Sequence, residues 1–144
     1  MKRKYRKYVD QVNAQYAPWH KKIGRRKWIT TRPMIVQSRL IPAGTETDLF
    51  SCVPDTQYIR FHVASLGHDL DRADPKVPRT LADARFLFEM VYAIRDIYAA
   101  FLKTDCPEKV VNKEIFRLCR VASLYMLGVS GKVGTAYLWL SKLF

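Results

Sequence analysis

The chain has 144 residues, 49% of them hydrophobic, and sets 25 Lys and Arg against 13 Asp and Glu, a formal net charge of +12. That surplus points to anionic partners, either lipid or nucleic acid. Three cysteines (Cys52, Cys106, Cys119) are odd in number and lack C-x-x-C spacing. They exclude a disulfide framework and a zinc site, and they fit a reducing compartment.

Residues 1–35 read as a basic, aromatic-rich arm. Eleven of the 25 Lys and Arg fall in the first 32 residues, where Asp10 is the only acid. Tyr5, Tyr8, Tyr16, Trp19 and Trp28 sit among KRK, KK and RRK clusters, and Lys21, Lys22, Arg25, Arg26 and Lys27 are its densest run of charge. Cations interleaved with aromatic rings suit contact with phosphate, on a lipid surface or on RNA. The opening MKRKYRKYVDQ has no apolar core, so it does not read as a secretory signal.

Residues 36–79 carry Pro42, Gly44, Pro54, Gly67, Pro75 and Pro78 at intervals and read as an irregular segment wrapped over a partner. MIVQSRLI and YIRFHVA are short extended candidates. Asp69, Asp71 and Asp74 lie in HDLDRADP, interleaved with Arg72, and read as solvated turn acids. His62 and His68 flank the expected loop, and with His20 they form no metal-ligand spacing.

Residues 80–103 predict an amphipathic helix. Leu81, Ala84, Leu87, Phe88, Val91, Ile94, Ile97, Tyr98 and Phe101 recur at helical spacing. Thr80 is the expected N-cap, with Asp83 completing a capping box. Asp105-Cys106-Pro107 breaks the run.

A last helix is expected over 112–144, with a membrane span over 121–140, VASLYMLGVSGKVGTAYLWL. Twenty helical residues reach about 30 Å, the thickness of a bilayer's hydrocarbon core. On a helical wheel Ser123, Gly128, Ser130, Gly131, Gly134 and Thr135 share one side. Small residues let a second helix approach closely, so this side is the expected helix-pairing face. Lys132 lies at its edge; Arg117 and Arg120 precede the span as the expected contacts to lipid or partner charge. An ordinary buried helix stopped at Gly128 is the alternative. The fold class that emerges is mainly α: an extended basic N-terminal arm, an amphipathic helix and a single C-terminal transmembrane helix. No catalytic constellation is present, so the expectation is a non-enzyme with no cofactor.

Gly131, Lys132, Gly134 and Tyr137, preceded by Pro75, Pro78, the helix 80–103 and Lys113-Glu114, resemble the mitochondrial F-type ATP synthase subunit g family. The likeness covers residues 75–140, and Leu127 stands where that family has the first glycine of its G-x-x-x-G. The resemblance implies a structural Fo subunit in the mitochondrial inner membrane with its N-terminus in the matrix. It would pair with a subunit e-like helix and other ATP synthase membrane subunits, support dimerisation and cristae shaping, and bind anionic lipid such as cardiolipin. The competing readings are an organellar ribosomal or RNA-binding protein, and an accessory subunit of a respiratory complex.

Overall fold

A computed structural model describes residues 1–16, 19–25, 27–36, 39–47 and 57–129. A 3-10 turn over Arg3–Tyr5 leads into α1 (Arg6–Asn13). Five short strands follow: β1 (His20–Gly24), β2 (Lys27–Thr30), β3 (Met34–Val36), β4 (Arg39–Ile41) and β5 (Glu46–Thr47). Three longer helices complete the described chain, α2 (Ile59–Ala73), α3 (Arg79–Phe101) and α4 (Glu108–Val129).

The helical core is organised by α3, which buries Ala82, Phe86, Met90, Ala93, Ile97, Ala100 and Phe101. Tyr58, Phe61 and Ala64 pack on it from α2 and the residue before it, and Val111, Leu118 and Ala122 from α4. The short α1 adds Val9 and Val12, three apart and therefore on one face. Full burial of each large apolar side chain contributes about 1.5–3 kcal/mol.

A smaller cluster of Trp19, Val36, Ile41 and Leu66 lies between the strands and α2. β1 and β2 form an antiparallel hairpin with a bulge between Lys22 and Gly24, and β5 pairs with the other edge of β2. β3 and β4 form a separate antiparallel pair. That pair lies against α2 where the helix carries Gly67. A Cβ added there would meet Val36 Cγ1 at 3.0 Å, so the close approach depends on the glycine.

Ion pairs tie these layers together. Asp71, fully buried, accepts from Arg39 at 2.7 Å and Arg85 at 3.3 Å, joining β4, α2 and α3. Asp83 accepts from His68 at 3.1 Å, and Arg72 stands 3.5 Å away. Arg60 on α2 bonds Asp96 on α3 at 2.8 Å.

This architecture corrects the expected fold class. Residues 1–16 are not an extended arm: Gln15 donates to the Ala100 carbonyl at 2.9 Å and Tyr16 to the Asp96 carbonyl at 3.0 Å, fastening α1 to α3. Much of the segment expected to be irregular is strand or helix, and YIRFHVA opens α2 rather than a strand. No helix among the described residues is long and apolar enough to cross a membrane. The described part of the expected span, Val121 to Val129, continues α4, which carries Lys109, Lys113, Glu114, Arg117 and Arg120 and buries Leu118 and Ala122 in the core. The remainder, from Ser130 onward, lies outside the described residues. These findings argue against an integral protein of the inner membrane, and the placement with the N-terminus in the matrix falls with it.

Candidate nucleic-acid interface

The first half of α4 presents a basic stripe. Lys109, Lys113 and Arg117 recur every fourth residue and Arg120 follows three later, so they share one face. Pro107 sets the start of this helix: its carbonyl accepts from the Val110 and Val111 amides at 2.9 and 3.0 Å. Opposite the stripe lies the N-terminal turn, closed by the Tyr5 amide donating to the Lys2 carbonyl at 2.9 Å. Burial of Val9 and Val12 holds α1, and with it this turn, against the helical core.

Between the two elements is a cavity of about 590 Å3. Lys2, Lys109, Lys113, Arg117 and Arg120 line it, with Met1, Tyr5 and Val110 as its apolar wall and Glu114 as its one carboxylate. That carboxylate is already committed. Glu114 is 3% exposed and accepts from the Tyr58 hydroxyl at 2.8 Å and from Arg117 Nε at 3.0 Å. The N-terminal ammonium stands 3.8 Å away. Burial alone pushes the Glu114 carboxyl up. The hydrogen bonds from Arg117 and Tyr58, and the charges of Arg117 and the N-terminal ammonium, outweigh it and hold the pKa below the usual carboxylate value.

The lysines are placed differently. Lys2, Lys109 and Lys113 are exposed and make no ion pair among the described residues. Arg120 stacks over the Phe116 ring, 5.1 Å from its centroid. The positive field extends along the 3-10 turn and α1, where Lys4 covers the Tyr5 ring at 4.9 Å and Lys7 the Tyr8 ring at 5.0 Å. Two of the three like-charged lysines come from one helix and the third from the chain terminus. Such a cluster holds an anion with several negative charges at one point.

A second cluster organises the β1–β2 hairpin. His20 stacks between Trp19 (3.9 Å) and Trp28 (4.7 Å), and its Nε2 lies 2.8 Å from His62 Nδ1 on α2. Its Nδ1 is buried with no hydrogen-bond partner among the described residues. Burial first, and then the neighbouring His62, lower the His20 pKa from 6.5 to about 4. The ring is therefore neutral at pH 7, and the stack serves to clamp the hairpin to α2. Among the described residues no group of three His, Cys, Asp or Glu side chains is placed to hold a metal ion.

The residues singled out in the sequence are dispersed by this fold. Arg117 and Arg120 join the cavity. Lys21 and Lys22 are exposed on β1, Arg25 follows it, and Lys27 opens β2. None of these four lines the cavity. Ser123 is exposed on α4 and donates to the Cys119 carbonyl at 2.9 Å, while Gly128 is half-buried in the same helix. Arg26, Ser130, Gly131, Lys132, Gly134 and Thr135 lie outside the described residues. Lys2 and Lys109 were not singled out in the sequence; Tyr5 was read as part of the basic arm and Lys113 only as part of the Lys113-Glu114 pair. The four-residue recurrence of Lys109, Lys113 and Arg117 was the available signal.

Comparison of the chain with protein-family models, with curated proteins and with solved structures gives no match.

Proposed function

We propose that the protein is a non-catalytic RNA-binding protein that engages a single strand on the face formed by the N-terminal turn, α1 and the first half of α4. The observation that carries this reading is the placement of five cationic residues along one cavity whose only carboxylate among the described residues is consumed internally. Phosphate contacts supply most sequence-independent affinity, and Tyr5 of the N-terminal turn and Tyr8 of α1 offer rings beside the charges. The role implied by the subunit g resemblance depends on a membrane span that the described helices do not provide, so it is not carried forward.

The test is fluorescence anisotropy of a 3′-labelled, 5′-hydroxyl single-stranded RNA over a range of salt. Each phosphate contact contributes about −0.7 to the slope of log K against log salt, so about four contacts predict a slope near −3. The double variant Lys109→Gln/Lys113→Gln should weaken binding and flatten the slope by about 1.4. Binding that is absent at low salt, or unchanged in the double variant, refutes the reading.

A further inference from the structure

The cavity has a property that a groove tracking a nucleic-acid backbone does not require. Five cationic residues line a single concavity that also has an apolar wall. Lys2, Lys109 and Lys113 lack acidic partners among the described residues, and Tyr5 and Val110 flank them. Its volume of about 590 Å3 falls within the roughly 300–1,000 Å3 of small-molecule sites.

A phosphodiester inside a strand brings one negative charge per phosphate. A terminal phosphomonoester brings about 1.5 to 2 at pH 7 and three acceptor oxygens. Carboxylates of an acidic peptide carry one charge each, so a single carboxylate offers less charge to several cations at one cavity than a terminal phosphate does. Lysines outnumber arginines at this cavity, and Arg117 is turned inward onto Glu114.

We infer that the cavity binds one nucleotide through a terminal phosphate. Lys2, Lys109 and Lys113 neutralise the phosphate, and the base or sugar lies against the wall of Tyr5 and Val110. The inference rests on the RNA-binding reading when the nucleotide is the 5′ end of a strand. A free nucleoside monophosphate presents the same chemistry.

Anisotropy of the full chain with 3′-labelled RNA of one sequence, carrying a 5′-hydroxyl or a 5′-monophosphate, tests it, with competition by UMP and by inorganic phosphate. The 5′-phosphorylated strand should bind about tenfold more tightly. Lys113→Gln, an exposed position, should bring that ratio to about one. Lys21→Gln/Lys22→Gln, away from the cavity, should leave the ratio intact even where it weakens both strands. Far-UV circular dichroism melts confirm that the variants fold.

Equal binding of the two strands together with no competition by UMP overturns the inference, as does a phosphate preference that survives Lys113→Gln. Inorganic phosphate competing as well as UMP overturns the nucleotide assignment. Failure of the 5′-hydroxyl strand to bind defeats the RNA-binding reading alone. UMP binding that is lost in Lys113→Gln would then support the cavity with a free nucleotide as its ligand.

Discussion

Stability should fall as pH drops from 7 to 5, and His20 should be the cause. In the fold its ring is packed between Trp19 and Trp28, one nitrogen faces His62, and the other is buried without an acceptor. Adding a proton there buries a donor that nothing receives. Burial, and then the neighbouring His62, set the folded pKa at about 4 against 6.5 for the free side chain. Because the folded value is depressed, the unfolded chain takes up a proton first. Stability is complete above pH 6.5 and is lost as pH falls toward 4. At about 1.36 kcal/mol per unit the full shift corresponds to an upper bound of about 3 kcal/mol. His20 is only half-buried, so screening by water reduces this to about 1–2 kcal/mol, of which about 1 kcal/mol is lost by pH 5. Urea unfolding followed by tryptophan fluorescence at pH 7 and pH 5 measures the loss directly. His20→Phe keeps a flat ring in the stack and removes the titrating nitrogens, so its stability should be lower at pH 7 but nearly flat across this window. The lowered pKa of Glu114 confines its own contribution to more acidic solutions, outside the comparison. A wild-type loss no greater than that of His20→Phe would refute the reasoning.

The remaining expectations concern the joints between layers. Asp71→Ala removes the carboxylate shared by Arg39 and Arg85. Both arginines are about a third exposed and can turn to water, so the loss should be about 1–3 kcal/mol rather than the larger cost of a stranded buried charge, as read by urea denaturation. Gly67→Ala gains about 1 kcal/mol of helix propensity but sets a methyl group 3.0 Å from the buried Val36 Cγ1. It should destabilise the native sequence by about 1 kcal/mol and stabilise the Val36→Ala background. A gain in both backgrounds would show that β3 and β4 do not sit tightly on α2.

Some of this fold is legible in the sequence because the signal is local. The apolar recurrence from Leu81 to Phe101 marks the extent of α3, Arg79 to Phe101, but not its buried face: Leu81, Ala84, Leu87, Phe88, Val91 and Tyr98 are exposed, and Ala82, Phe86, Met90 and Ala93 are buried instead. MIVQSRLI contains the β3 and β4 residues of a hairpin. The cap of α3 was misread: Pro78 precedes the helix with no side-chain cap bond, and Asp83 turns to His68 instead. α2 was missed because Gly67 and two buried histidines disguise a helix that its neighbours stabilise. The three acids of HDLDRADP look alike in one dimension, yet each has a different duty. Asp74 accepts from the Lys76 amide in a turn at 2.9 Å, Asp69 accepts from the Thr47 hydroxyl at 2.6 Å, and Asp71 is fully buried between arginines.

The apolar run after Val121 suggested lipid because hydropathy records only what a side chain prefers to leave, which is water. A protein core meets that preference as well as a bilayer does: among the described residues of the run Ala122 is buried in the helical core, with Tyr125 and Met126 packed partly against it. Composition alone established a strongly basic chain, since net charge adds up regardless of shape. Which cations converge was decided by tertiary structure. The fold brings Lys2 to the same cavity as Lys109 and Lys113, more than a hundred residues away in the chain, and the Tyr58–Glu114–Arg117 contacts occupy the one carboxylate that lines it among the described residues.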